Sequence, residues 1–189
     1  MKHYLLFVGL FIFVDGIYGQ EPAGYYDNAA SKNCADLKTA LKTIIATGNT
    51  PQSYSALWTQ YQVSDIKPRT VGTGSTNVIY DIYSAKPDGV DPYQFTPGNG
   101  TGGQQDVGIN TTTEGQFYNR EHSVPQSWFN GNTSTPGPTT DYLHIFPTDK
   151  KVNSVRANYI YGEVATASYT SLNGSKLGTS SFAGLTGPV

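Results

Sequence analysis

Cys34 is the only cysteine in a chain of 189 residues, and this limits how the fold can be held together. Exported proteins commonly rely on disulfides, but a single thiol has no partner within its own chain. The fold must therefore rest on a hydrophobic core, for which the chain is long enough. A cysteine-based zinc site is excluded for the same reason. Cys34 lies at the start of a predicted helix, where we expect a small, packed side chain.

The first 19 residues have the pattern of a secretory signal peptide. Lys2 and His3 form a short positive region, and Tyr4 to Val14 form an apolar run that is too short to span a bilayer comfortably. The small residue Gly19 suits the position before a cleavage site. The pattern predicts a signal peptide over 1–19 and a secreted product, extracellular or periplasmic. No other segment of the sequence is a membrane-span candidate.

Composition favours a loop-rich mixed domain and argues against a broad nucleic-acid-binding surface. Hydrophobic residues make up 37% of the chain and charged residues only 14%, with 21 glycines and 14 tyrosines. The formal net charge is −2, so no broad basic face is expected. Any nucleic-acid partner would have to be held by a few local cations or by a metal ion.

Hydrophobic periodicity predicts several elements. An amphipathic helix over 35–47 places Leu37, Leu41, Ile44 and Ile45 on one face. The other predicted elements are a short helix carrying Tyr54, Leu57, Trp58 and Tyr61, a strand over 77–84, and exposed loops over 96–116 and 130–140.

The segment after Pro147 predicts one more helix. Thr148 is expected to cap it, and Asp149 suits the positive first turn. Asn153 and Arg156 are i, i+3 neighbours beside an apolar stripe, so the helix presents an amide and a guanidinium together. Gly162 is expected to end the helix or to follow shortly after its end.

The stretch YNREHSVPQSWF, residues 118–129, holds Arg120, Glu121 and His122 side by side. Glu121 and Asn153 are hard oxygen donors suited to Mg²⁺ or Ca²⁺. His122 can take a proton from water near neutral pH, and Arg120 and Arg156 can bind phosphate oxygens as forks. A base, a metal site and phosphate contacts together indicate phosphodiester hydrolysis.

Adjacent residues of a regular strand point to opposite faces, so Glu121 and His122 cannot both face one phosphate from mid-strand. The strand is therefore expected to bend or end at this point, and Pro125 agrees with early termination. Trp128 and Phe129 are expected in the core or at its rim.

The segments NREHSVPQSWF and TDYLHIFPTDKKVNSVRANYIYGEV resemble the endonuclease I family of secreted bacterial nucleases. That family belongs to the His-Me finger, or ββα-metal, nucleases. The resemblance implies an α+β fold: a single domain over 20–189 built around a ββα-metal motif, with additional helices and short strands. In such a finger, His122 comes from the β-hairpin and Asn153 from the following helix.

The resemblance also implies roles for individual residues. His122 would be the general base, with Arg156 as a second catalytic residue, and Glu121 and Asn153 would hold one divalent ion. That ion is usually Mg²⁺, with Ca²⁺ or Mn²⁺ as alternatives. The nucleic-acid contacts would come from Arg120, Arg156 and Asn158.

The implied activity is largely sequence-nonspecific endonucleolytic cleavage of DNA, with RNA as a second substrate and 5′-phosphate products. No membrane or protein partner is implied. Leu143 stands where many relatives have a histidine, and His144 fills the next position. The family domain usually extends beyond the equivalent of Val189, so we expect a chain shortened at its C-terminus.

Two other hypotheses follow from the same residues. Leu143 and the short C-terminus are compatible with a secreted binding or adhesion module whose nuclease site has decayed. A zinc hydrolase would instead use His122, His144 and a carboxylate, although the surroundings are rich in oxygen donors and an HExxH spacing is missing.

Overall fold

The computed structural model describes residues 21–189, and the predicted signal peptide over 1–19 lies outside the described residues. The chain divides into two compact units, one ending at Thr50 and one spanning Pro51–Val189. The described part contains three α-helices and three two-stranded antiparallel sheets, which confirms the predicted α+β class. None of the helices within residues 21–189 has the length and apolarity needed to cross a membrane.

The first unit contains helix α1, Cys34–Ala46, where the first helix was predicted. Its buried residues are Ala40 and Ile44, whereas Ile45 is 67% exposed. The buried stripe thus follows a small alanine, and the prediction that Leu41 and Ile45 belong to the apolar face was wrong. The buried pair Ala40 and Ile44 and the predicted apolar face with Leu41 and Ile45 both fit a helical period of 3.6 residues. Packing decides which of the two faces is buried.

Cys34 is exposed, so the expectation of a packed thiol was also wrong. The residue opens α1 with a φ of 46°, in the left-handed region. A side chain at this end position is turned to solvent rather than onto the buried stripe of the helix.

The core of the second unit is aromatic. Helix α2, Leu57–Ser64, contributes Leu57 and Tyr61, both fully buried. The hydroxyl of Tyr61 donates to the carbonyl oxygen of Ile145 at 3.0 Å, which ties the helix to a central strand. The buried cluster consists of Leu57, Tyr61, Ile79, Phe95, Tyr118 and Ile145.

The predicted strand over 77–84 is shorter than expected. Strand β1, Ile66–Pro68, pairs antiparallel with β2, Asn77–Ile79. Beyond β2, the Asp81 carboxylate accepts a hydrogen bond from the backbone N–H of Tyr83 at 2.9 Å. Aspartate side chains that bond two residues ahead stabilise turns, so this contact ends the strand.

The next two strands and the α-helix after them form a ββα arrangement. Strand β3, Tyr118–His122, pairs antiparallel with β4, Ile145–Asp149, with Glu121 opposite Phe146 and His122 opposite Ile145. Helix α3, Lys150–Arg156, follows β4 directly. The strand pair, the loop over 130–140 and the helix therefore occur in the order that the sequence predicts.

Helix α3 begins and ends elsewhere than predicted. Asp149 is its N-cap, because its carboxylate accepts from the N–H of Val152 at 2.8 Å, whereas Thr148 is a buried residue of β4. The helix ends at Arg156, where Ala157 adopts a φ of 52°. Gly162 is therefore not its terminator. Asp149 rather than Thr148 caps the helix because strand β4 continues through Thr148.

The last sheet is a hairpin near the end of the chain. Strand β5, Val164–Thr170, pairs antiparallel with β6, Lys176–Ser180. A Cβ at Gly178 would lie 2.0 Å from the carbonyl oxygen of Thr166, so only glycine allows this close approach of the two strands.

Candidate active site

A polar cleft of about 380 Å³ lies beside the end of β3. Strand β3 ends at His122, as the alternation of side chains requires if both Glu121 and His122 are to contribute. The cleft is lined by Arg120, Glu121, His122, Asn153, Arg156 and Asn158, which are the six residues that the sequence predicts, together with Pro125, Gln126, Ser127, Gly131 and Ala157.

Glu121 is held by one of its two carboxylate oxygens. Its Oε1 accepts from Tyr83 Oη at 2.9 Å, Arg156 Nη1 at 2.9 Å and Tyr161 Oη at 3.1 Å. Within residues 21–189, Oε2 accepts no hydrogen bond. Burial raises the pKa of this carboxyl, whereas Arg156 and the two tyrosine hydroxyls act in the opposite direction. One carboxylate oxygen is thus fixed by three donors, whereas the other has no donor among the described residues.

Arg156 links the side chain of Glu121 to the backbone at the end of β3. Its Nη1 also donates to the carbonyl oxygen of His122 at 2.7 Å, and Nη2 donates to that of Ser123 at 2.7 Å. The guanidinium lies 4.5 Å from the centroid of the Tyr161 ring. Because Arg156 is buried and uses both terminal nitrogens internally, its contacts are those of a positioning residue.

His122 is buried, and both ring nitrogens have partners. Nε2 lies 3.0 Å from the carbonyl oxygen of Thr139, which can only accept, so Nε2 carries the proton in the neutral ring. Nδ1 then holds a lone pair and accepts from Gln126 Nε2 at 3.0 Å. Burial lowers the pKa of His122, opposed by the Thr139 bond. The neutral, proton-accepting form is therefore favoured.

Asn153 resembles Glu121 because one terminal atom of its side chain is hydrogen-bonded and the other is not. Its Nδ2 donates to Asn119 Oδ1 at 2.8 Å and to the carbonyl oxygen of Arg120 at 3.3 Å. These donor contacts orient the amide so that Oδ1 is the other terminal atom. In the described part of the chain, Oδ1 makes no hydrogen bond. The α3 position of Asn153 thus supplies a second oxygen to the cleft.

Arg120 and Asn158 differ in how freely they could meet a ligand. Arg120 Nη1 donates to the carbonyl oxygen of Tyr54 at 2.7 Å, and its guanidinium lies 3.5 Å from the Tyr54 ring centroid and 4.3 Å from that of Trp58. Asn158 is exposed. Arg120 does not brace Glu121, a role that Arg156 takes instead.

His144 lies next to the site without completing a metal cluster. Its ring centroid is 6.2 Å from that of His122, and its Nε2 is buried with no hydrogen-bond partner. Among residues 21–189, no group of three or more histidine, cysteine, aspartate and glutamate side chains is placed to hold a metal ion. This geometry does not favour the zinc hypothesis. Leu143, which stands at the position expected to hold a histidine in the family, is 85% exposed.

Sequence reasoning missed the residues that orient the predicted ones. Tyr83 and Tyr161 hold Glu121, while Thr139 and Gln126 hold His122. Only the contact between Gln126 and His122 joins residues close in the sequence, four positions apart. The others come from segments far away in the chain and are brought in by folding.

Known proteins resemble this chain in sequence. The family model Endonuclease I matches residues 33–189. The extracellular ribonucleases of Bacillus subtilis (strain 168) and Bacillus amyloliquefaciens are 33% and 32% identical to the chain over 134 residues. Each match covers 71% of this chain but only 38% of the relative. No solved structure matches the chain.

The family match extends over most of the chain and includes every residue of the cleft. The chain therefore belongs to the Endonuclease I family.

Proposed function

We propose that the chain is a secreted endonuclease that hydrolyses phosphodiester bonds of DNA and RNA with the help of one divalent ion. The observation that carries this proposal is the pair of unbonded oxygens, Glu121 Oε2 and Asn153 Oδ1, in the cleft that holds His122. Both groups are oriented through their other terminal atom. Hard oxygen donors suit Mg²⁺ first, with Ca²⁺ or Mn²⁺ as alternatives.

Glu121 and Asn153 would hold the ion, which when bound would polarise the phosphate and stabilise negative charge on the leaving 3′ oxygen. Arg156 opposes the rise that burial causes in the pKa of Glu121, and its contact at 2.9 Å fixes the carboxylate in place. A buried carboxylate without this partner would tend to take up a proton and lose its value as a ligand. The arginine thus acts through the glutamate.

His122 would accept the proton of the attacking water at Nδ1. Thr139 fixes the tautomer by taking the Nε2 proton, so the lone pair of Nδ1 is directed at Gln126. For a water molecule to reach Nδ1, the Gln126 amide must turn aside or share that position. The lowered pKa keeps the ring unprotonated at neutral pH.

Several observations support a substrate range that includes both DNA and RNA. The polar groups of the cleft suit phosphate and a metal ion, and α3 is packed against β3 and β4 rather than presented as a helix that reads base edges. Relatives are named extracellular ribonucleases, which favours RNA as a substrate alongside DNA and favours secretion of the protein. Cleavage on the 3′-oxygen side would leave 5′ phosphates.

Cleavage of supercoiled plasmid and of single-stranded RNA tests this function. With Mg²⁺ we expect both to be cut, EDTA to stop the reaction, and His122→Ala to lower the rate by about 10²- to 10⁴-fold, the usual share of a general base. Release of label from the products by a phosphatase specific for 5′ ends checks the position of cleavage. An unchanged rate in His122→Ala would reject the proposed base.

Metal binding can be measured without any reaction. Titration of Mn²⁺ followed by electron paramagnetic resonance should show one site that is lost in Glu121→Gln. Glu163→Gln is a matched control, because Glu163 is an exposed glutamate that does not line the cleft. Equal Mn²⁺ affinity in the two variants would place the ion elsewhere.

A further inference from the structure

Gln126 occupies the proton-accepting atom of His122 with its side-chain amide. It opens the 3-10 helix Gln126–Phe129, lines the cleft and is half-buried. Its Nε2 donates to His122 Nδ1 at 3.0 Å and to Tyr54 Oη at 3.2 Å, so each of the two amide hydrogens has one acceptor. The lone pair that must take a proton from water is therefore covered by Gln126 in this structure.

The carbonyl end of the same amide is open. Among the described residues, no donor contacts Gln126 Oε1, although a carbonyl oxygen can accept two hydrogen bonds. The orientation of the amide follows from His122, whose Nε2 donates to the carbonyl oxygen of Thr139 at 3.0 Å and whose Nδ1 therefore needs a donor. An acceptor oxygen without a partner thus belongs to the group that contacts the proposed base.

The backbone of Gln126 is fixed, whereas its amide can turn. The carbonyl oxygen of Gln126 accepts from the N–H of Gly131, and the N–H of Trp128 donates to the carbonyl oxygen of the buried Pro125, both at 3.0 Å. The last torsion of a glutamine side chain has a broad, roughly two-fold profile, so exchange of Nε2 and Oε1 costs little by itself. Turning of the amide therefore requires no change in the main chain.

Tyr54 is an anchor that can hold the amide in both orientations. Its hydroxyl can accept from Nε2 or donate to Oε1. The tyrosine itself is held by Arg120, whose guanidinium lies 3.5 Å from the ring centroid and donates to the carbonyl oxygen of Tyr54 at 2.7 Å. The Tyr54 ring also lies 5.9 Å from that of His122, so anchor and base stay close together.

The turned amide would present an acceptor to the acceptor Nδ1. Two acceptors cannot bond to each other, but a water molecule between them can donate one hydrogen to each. We propose that Gln126 positions the attacking water, which it holds through Oε1 after its amide has turned away from His122 Nδ1. This inference rests on the proposed function, because it concerns the water of that reaction.

The two contacts give the two hydrogens of the water different fates. The hydrogen at Nδ1 is the proton that His122 takes, whereas the hydrogen at Oε1 stays on the oxygen. The water oxygen forms a bond to phosphorus, and the bond from phosphorus to the 3′ oxygen breaks with its electron pair on that oxygen, which takes up a proton from solvent. Because the water is held at two points, its remaining lone pairs have a defined direction for attack.

Cleavage of a fluorescein-labelled single-stranded RNA with Mg²⁺ tests the role of Oε1. Gln126→Met keeps the length of the side chain but removes both of its hydrogen-bonding ends. We expect kcat to fall by about 10- to 100-fold, because the water is no longer oriented. KM should change little, because Gln126 contacts water rather than the nucleic acid. Gln116→Met is the matched control, because Gln116 is exposed and does not line the cleft.

Gln126→Glu separates contact with the water from a role in packing. Its carboxylate keeps an acceptor for the water but favours the protonated imidazole, which raises the pKa of His122. The other groups that act on this pKa, His144, Arg120 and Arg156, are the same in all variants. We expect kcat of Gln126→Glu to be low at neutral pH and to approach the wild-type value in alkaline solution. Gln126→Met should stay low at every pH.

Tyr54→Phe tests the anchor while keeping the ring over Arg120. It removes one hydrogen bond to the Gln126 amide, so we expect kcat to fall by about 2- to 10-fold, the value of one such bond, again with little change in KM. An unchanged kcat in Tyr54→Phe would overturn the role of the hydroxyl as an anchor.

Failure of this inference can be told apart from failure of the proposed function. Wild-type kcat in Gln126→Met, or equal kcat for Gln126→Met and Gln126→Glu across the pH range, would overturn water positioning and leave hydrolysis in place. A higher kcat in Gln126→Met than in the wild type would show that Gln126 only obstructs Nδ1, which also overturns it. No cleavage by the wild type with any divalent ion would reject the proposed function and this inference with it.

Discussion

Arg120 and Glu121 are neighbours in β3, yet their side chains are held by different interactions on opposite faces of the strand. Glu121 lies in a buried network with Arg156, Tyr83 and Tyr161, in which a carboxylate is matched by a guanidinium and two hydroxyls. Arg120 has no carboxylate partner among the described residues and is instead packed between the rings of Tyr54 and Trp58.

The difference shows two ways of keeping a charge near a core. The Glu121 face depends on exact pairing, because removing one partner leaves a charge buried without compensation. The Arg120 face depends on ring contact and one backbone carbonyl, which tolerate change better because a cation can stay partly hydrated. The first face also leaves one carboxylate oxygen for the cleft, whereas the second stabilises the scaffold.

The largest effect should come from breaking the buried ion pair. Arg156→Met leaves Glu121 buried and unpaired, so we expect the free energy of unfolding to fall by about 3–5 kcal/mol, measured in urea. Glu121→Gln combined with Arg156→Met should recover part of this loss, because the uncompensated charge is gone. Equal stability of the single and double variants would contradict the role of the pair.

A second large effect concerns Asp81, which lies two residues before Tyr83 and is buried. Burial raises the pKa of Asp81 to about 7. The folded state therefore holds a proton that the unfolded chain releases near its ordinary pKa, so stability declines as pH rises from about 4 through 7.

Asp81→Asn should remove that decline and keep the acceptor for the Tyr83 N–H. At pH 9 we expect the variant to be more stable by up to roughly 4 kcal/mol, since each pKa unit corresponds to about 1.4 kcal/mol. At pH 4 the two proteins should be nearly alike. Urea unfolding at both pH values checks this, and parallel pH profiles would show that Asp81 does not titrate as proposed.

A smaller effect is expected on the other face of β3. Arg120→Gln removes the cation from between Tyr54 and Trp58, which should lower the free energy of unfolding by about 1–2 kcal/mol. Arg120→Lys keeps the charge but loses the planar stacking. Its free energy of unfolding should therefore lie between that of the wild type and that of Arg120→Gln. If Arg120→Gln cost as much as Arg156→Met, the contrast between the faces would be lost.

The smallest effect should come from one hydroxyl of the Glu121 network. Tyr161→Phe removes one of three donors to Oε1, so thermal or urea unfolding should show a loss of about 1 kcal/mol. Tyr83→Phe should cost more, because Tyr83 is 8% exposed whereas Tyr161 is 52% exposed. The reverse order would mean that burial does not set the strength of these bonds.

The predicted site and its surroundings differ in how far the sequence reveals them. Asn153 and Arg156 share a side of α3 because their spacing matches the helix, and His122 ends its strand as alternation requires. The end of β2 was not visible in the pattern, because the turn at Asp81 overrides an alternation that continues through the segment. The cap of α3 was displaced by one residue, since boundary positions depend on how far the preceding strand extends.

The sequence by itself determined the order of strand, loop and helix, the six side chains of the cleft, and the lack of a disulfide framework, because these depend on spacing and residue type. Only the tertiary structure decided that Arg156, and not the adjacent Arg120, pairs with Glu121. Alternation sends Arg120 to the opposite face of β3, and the packing of α3 against β3 brings Arg156 to the carboxylate from 35 residues away. Trp128 was expected in the core or at its rim, and the tertiary structure leaves it 59% exposed.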